Sequence, residues 1–134
     1  MKRLLFIPGY QLTLIVIVMI LYLTLLPQPL GEEEFPLFED ADKVVHFIMF
    51  GGLTGTFIFD RWRISKPLTL KAAIIVALCS AAFGALIEWL QYAMALGRAG
   101  NDVWDALANT LGAFTAVPIC YWLHWINVVI KNRT

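Results

Sequence analysis

Apolar residues fill this chain in four long blocks separated by short charged connections. The first runs from about Tyr10 to Leu26 and is closed by Pro27 and Pro29; the second runs from about Val44 to Phe59. The third covers Leu70 to Leu96, and the fourth begins near Asp105 and continues to about Val129. Each is too apolar over too great a length to be an ordinary strand. About 20 helical residues cross the hydrocarbon of a bilayer, and the second block reaches this length when Ala41 to Lys43 form its first turn. The pattern predicts an all-α integral membrane protein, a four-transmembrane-helix bundle over about 10–26, 42–59, 70–96 and 105–129, in one domain spanning 1–134. Lys2 and Arg3 before the first block raise the alternative of a signal peptide. The stretch Leu26-Pro27-Gln28-Pro29-Leu30-Gly31 offers no small-x-small cleavage site, so the first block is read as a retained helix.

Composition strengthens this picture. Of 134 residues, 60% are hydrophobic, and the mean hydropathy is +0.73; a soluble domain of this size needs far more polar surface. The net charge of zero conceals a strong asymmetry. With four spans, Lys2, Arg3, Arg61, Arg63, Lys66, Lys71, Lys131 and Arg133 fall on one side, eight of the ten basic residues. The other side holds Lys43 and Arg98 with Glu32, Glu33, Glu34, Glu39, Asp40, Asp42, Asp102 and Asp105. Basic connections stay in the cytoplasm, which predicts cytoplasmic termini in a multi-pass protein of the cell's inner (plasma) membrane. Cys79 and Cys120 lie inside apolar blocks and read as packing residues. No basic stretch interleaved with aromatics points to nucleic acid.

Small residues mark helix contacts. Gly51 and Gly55, Ala108 and Gly112, and the series Ala73, Ala77, Ala81, Ala85 all repeat every four residues, the spacing that lets helix backbones approach closely in lipid. Trp62, Trp104, Trp122 and Trp125 lie near predicted interfaces, where indole is favoured.

Polar residues gather on the non-cytoplasmic side. Asp42 and His46 share a face of the second helix, with Lys43 beside them, and Glu88 and Gln91 share a face of the third. Glu88 is expected roughly 13 Å from that helix's outer end near Gly97. An ionised carboxylate there is expensive unless it is paired and faces the bundle. Asp102, Asp105 and Asn109 form one stripe at the start of the fourth helix, below Arg98. Plainer readings stand beside each of these. Asn101 or Asp102 serves as an N-cap, Arg98 pairs with Asp102 or Asp105 as a clamp, and a lone His46 packs between helices. Glu32 to Glu34 read as a solvated loop, and His124, without acidic company, carries no assignment. What favours a site is the conjunction of three helices presenting polar faces at similar depth.

The elements Asp42-Lys43-Val44-Val45-His46-Phe47, Glu88-Trp89-Leu90-Gln91, and Arg98 followed by Asp105-Ala106-Leu107-Ala108-Asn109-Thr110-Leu111-Gly112 resemble, in this order, the motifs of the VanZ-like family. The resemblance covers about Asp42 to Ala116. It is loosest between Arg98 and Asp105, which keeps both Asp102 and Asp105 as candidates. The family takes its name from a protein associated with teicoplanin resistance, and it implies fold, membrane location and site residues more strongly than mechanism.

Together these readings lead to the expectation of a cell-envelope protein with a site in the outer half of the bilayer. That site would bind, and in one version process, an amphipathic ligand such as a lipid-linked cell-wall precursor or a lipoglycopeptide, among membrane lipids. His46 and Glu88 are the candidate acid/base pair. Asp42, Lys43, Gln91, Arg98, Asp102, Asp105 and Asn109 are the candidate ligand-binding residues. The alternatives are a proton-coupled carrier titrating at Glu88, which at this size would form a homodimer to enclose a path, and a non-catalytic partner protein whose polar cluster locks the helices. Asp42, His46 and Glu88 could in principle hold a metal, but a single histidine with loosely spaced carboxylates is a weak signature, and neither metal nor cofactor is assigned.

Overall fold

The computed structural model describes residues 9–25, 41–94 and 103–134. These residues form four helices and no strand: α1 (Gln11–Leu25), α2 (Ala41–Arg63), α3 (Leu70–Ala93) and α4 (Val103–Arg133). Arg98 and Asp102 lie outside the described residues, as does the side chain of Asp42.

The first amides of a helix have no partner within it. In α1 the need is met across the chain: the Thr13 amide and hydroxyl both donate to Asp60 Oδ2, at 2.9 and 2.7 Å. Asp60 is fully buried near the end of α2, so its charge also meets the positive end of the α1 dipole. Arg61 donates to the Tyr10 hydroxyl at 3.1 Å beside it. At the opposite end of α1, Gln91 Nε2 donates to the Thr24 carbonyl at 2.8 Å. α1 is therefore antiparallel to α2 and pinned at both ends. α3 starts from Thr69, whose hydroxyl caps the Ala72 amide at 3.2 Å, and Tyr121 of α4 holds the preceding loop by donating to the Leu68 carbonyl at 2.6 Å. The helices thus run alternately up and down, and α2 and α4 run parallel.

The α2–α4 crossing is the closest. A Cβ on Gly112 would collide with the Phe47 backbone, and one on Gly51 would lie 3.1 Å from the Gly112 carbonyl oxygen. On α3 the buried face is Ala73, Ala77, Ser80, Gly84, Ile87, Glu88 and Gln91, whereas Ala81 is half-buried and Ala85 exposed. The structure thus corrects the expected four-residue alanine stripe. Each step of four over-rotates by about 40° on a 3.6-residue helix, so the stripe leaves the interface after Ala77 and Gly84 takes its place.

Helix ends also differ from the apolar blocks. α2 and α4 run on to Arg63 and Arg133, because hydropathy marks where hydrocarbon ends and not where hydrogen bonding does. α3 instead stops at Ala93, where the Met94 amide turns back to the Leu90 carbonyl.

Burial is inverted relative to a water-soluble domain. The interior holds Thr13, Thr24, Thr54, Asp60, Ser80, Glu88, Gln91, Asp105 and Asn109, while Ile15, Val18, Ile48, Leu78, Trp89, Leu111 and Trp122 face outward. Thr54 and Ser80 bond each other at 3.0 Å between α2 and α3. Apolar packing still closes both halves, around Phe50 with Ile20 and Ile87, and around Ile58 with Ala77 and Val117. By length and composition α3 and α4 are each able to cross a membrane. α1 has only 15 residues, and α2 carries charges at both of its ends. Both cysteines are free, with Cys79 facing outward.

Candidate functional site

The alternation of helices brings the starts of α2 and α4 and the ends of α1 and α3 to one end of the bundle. His46 stands in the second turn of α2 and points between α3 and α4. Its Nδ1 lies 2.9 Å from Asn109 Oδ1 and 3.5 Å from Glu88 Oε1. Beside this group, Lys43 Nζ is 3.5 Å from Asp105 Oδ1. One turn separates Lys43 from His46, and one turn separates Asp105 from Asn109, so two parallel helices present matching pairs. One donor atom each from His46, Glu88 and Asp105 lies within 4.8 Å of the others.

Each side chain has a local reason for its position. Asp105 is in the first turn of α4, where the helix dipole favours an anion. Asn109 is fully buried because α3 is a glycine opposite it: a Cβ on Gly84 would come within 2.9 Å of Asn109 Nδ2. Glu88 is 4% exposed. With α3 ending at Ala93, it stands about 7.5 Å from the helix end by its 1.5 Å rise per residue. That is shallower than expected from the apolar block.

Of the residues predicted to form a site, the structure brings together Lys43, His46, Glu88, Asp105 and Asn109. Gln91 is buried beside them, but its amide is directed at α1. Asp105 and not Asp102 can be placed in the cluster, since Asp102 lies with Arg98 outside the described residues. The sequence pattern does not single out Gly84, which shapes the site, or Asp60, which resembles a charge at an interface until Thr13 is seen against it. At the far end, His124 stacks on Trp62 with ring centroids 4.5 Å apart, and Tyr121 meets Trp62 edge-on. An apolar groove of about 240 Å³ runs between α2 and α4, lined by Phe47, Gly52, Gly55, Thr115 and Ile119 among others. None of the polar cluster lines it.

A family model described as VanZ/LLP1 matches residues 9–125, a stretch that includes every residue of the polar cluster. The chain belongs to the VanZ/LLP1 family. No curated protein and no solved structure matches it. VanZ/LLP1 membership together with two membrane-length apolar helices marks a membrane protein.

Proposed function

We propose that this VanZ/LLP1 protein is a four-span protein of the inner membrane with cytoplasmic termini. Its polar cluster opens toward the non-cytoplasmic leaflet and receives the head of an amphipathic ligand, a lipid-linked cell-wall precursor or a lipoglycopeptide, in a role related to glycopeptide resistance. The observation that carries this reading is a group of buried Glu88, Asp105 and Asn109 with half-buried Lys43 and His46 at one end of a bundle whose outer surface is apolar. Such a group is expensive in lipid, and intramembrane ionisable residues mark ligand or proton sites by default. Orientation is supported by charge. Among the described residues, Arg61, Arg63, Lys66, Lys71, Lys131 and Arg133 sit at the far end, and Lys43 alone of the basic residues sits at the mouth.

The starts of α2 and α4 both point at the mouth, so two positive dipole ends add to Lys43 in favour of an anionic head. Arg98, which follows α3 in the sequence, is the residue in this reading that would supply a planar anion clamp, with Asp42 and Asp102 as further candidate ligand-binding residues. His46 and Glu88 are close enough to exchange a proton or to polarise a bound group.

A second reading, a clamp without a ligand, is favoured by the Gln91–Thr24 bond, which shows that part of the polar face braces α1. The two separate in Glu88→Gln and His46→Gln, assayed for thermal stability in detergent beside complementation of lipoglycopeptide sensitivity. The ligand reading expects folded proteins that have lost the phenotype. Folded proteins with full activity leave the clamp as the better account.

A further inference from the structure

Three helices direct unlike donors at one point: an imidazole from α2, a carboxylate from α3, and a carboxylate and an amide oxygen from α4. The edges are 3.5 Å from His46 Nδ1 to Glu88 Oε1 and 2.9 Å from His46 Nδ1 to Asn109 Oδ1, and a donor of Asp105 completes a set within 4.8 Å. Ligands held about 2.1 Å from a common ion stand about 3.0–3.4 Å apart in octahedral or tetrahedral geometry. The two edges of 2.9 and 3.5 Å lie within about 0.1 Å of that range, and Asp105 needs a shift of at most about 1.4–1.8 Å, within reach of a side-chain rotation. A second observation points the same way. The Asn109 side chain, fully buried, turns its carbonyl oxygen toward the cluster, while its Nδ2 has no hydrogen-bond partner among the described residues. A group that presents oxygen inward and leaves its own donor idle suits a cation and not an anion.

We propose that His46, Glu88, Asp105 and Asn109 form a binding site for one divalent transition cation, zinc or manganese. The imidazole nitrogen argues against magnesium and calcium, which take oxygen donors. A dication placed between Glu88 and Asp105 would offset both carboxylates at one point. Lys43 is the competitor. Its ammonium lies 3.5 Å from Asp105, on a side chain 28% exposed at the mouth, so it can withdraw to solvent when the ion enters. Four protein donors leave a position for an oxygen of a ligand head. Cation binding itself rests on the cluster alone and not on the ligand reading.

The test uses the untagged full-length chain in detergent, stripped with a chelator and titrated with zinc chloride or manganese chloride. Bound metal is measured after desalting, and the melting temperature is followed against metal concentration. The expected result is one ion per chain, a melting temperature that rises with metal and falls again with chelator, and affinity weakened by about tenfold or more in His46→Gln and Asp105→Asn. Lys43→Gln should bind more tightly than wild type. Helicity by circular dichroism shows whether each variant is folded. If the variants do not fold, the wild-type titration decides alone. Wild-type protein that retains no stoichiometric ion and shows no metal-dependent melting shift overturns the proposal, as do folded His46→Gln and Asp105→Asn proteins that bind as tightly as wild type.

Discussion

His46 Nδ1 and Asn109 Oδ1 meet at 2.9 Å across 63 residues of sequence, and this bond joins the two parallel helices at the level of the polar cluster. Asn109 reaches that position because Gly84 leaves room on α3. Gly84→Ala should push the amide away, destabilising the protein by about 1–3 kcal/mol through overpacking and reducing function more than stability alone accounts for. Asn109→Leu should reduce function in the same way. Melting in detergent beside a complementation assay checks both. Unchanged stability and activity in Gly84→Ala would mean that the contact is not required.

The glycines of α2 and α4 are not equivalent. Gly112→Ala drives a methyl into the Phe47 backbone, which has little freedom to give way, and should cost stability at the upper end of about 1–3 kcal/mol. At Gly52 nothing lies within 4 Å of the position a Cβ would take, so Gly52→Ala should be neutral or gain about 0.5–1 kcal/mol from helix propensity. Paired melting curves that rank the two variants in the opposite order would refute the proposed crossing.

Asp60 accepts two hydrogen bonds from Thr13. Asp60→Ala leaves a buried amide without its acceptor, at a cost of about 1–3 kcal/mol. The loss should appear first as protease sensitivity or rapid amide exchange in α1. Exchange that rises uniformly over all four helices would argue against this local role.

Gln91 binds a backbone carbonyl near the end of α1. Gln91→Ala should lower stability by about 1 kcal/mol while the purified protein keeps its site chemistry. Loss of phenotype in a fully stable Gln91→Ala protein would favour the expectation of Gln91 as a ligand-binding residue.

Orientation is tested by single cysteines in a background lacking Cys79 and Cys120. A cysteine at Glu33 should react with an impermeant thiol reagent in intact cells, and one at Ser65 should react only after the membrane is opened. The reverse result would invert the bundle.

Much of the helical arrangement is legible in the sequence, because the length of an apolar block is a coarse signal that survives local detail. Four apolar blocks become four helices, and Lys43, His46, Glu88, Asp105 and Asn109, chosen by depth and helical face, converge. Spacing does not say which polar residues serve the fold. Gln91 shares a face with Glu88, yet its amide reaches α1, and Asp60 resembles an interfacial charge until Thr13 is placed against it. These are contacts between distant segments, invisible to periodicity. The alanine stripe misleads for a different reason: a strict spacing of four does not stay on one face of a helix that turns every 3.6 residues.

The glycine contact between α2 and α4 has a mechanical consequence. Where Gly112 lies against the Phe47 backbone, any side chain larger than a hydrogen would force the two helices apart, so their spacing is set by the glycine itself. α3 meets this pair through alanines, a serine and Gly84, and is tied to it by the Thr54–Ser80 bond and by Gly84 against Asn109. A tilt of α3 away from this pair would part Glu88 from His46, which now stand 3.5 Å apart. Through the Gln91–Thr24 bond the end of α1 would be drawn along with it, so the two helices are coupled at the level of the polar cluster.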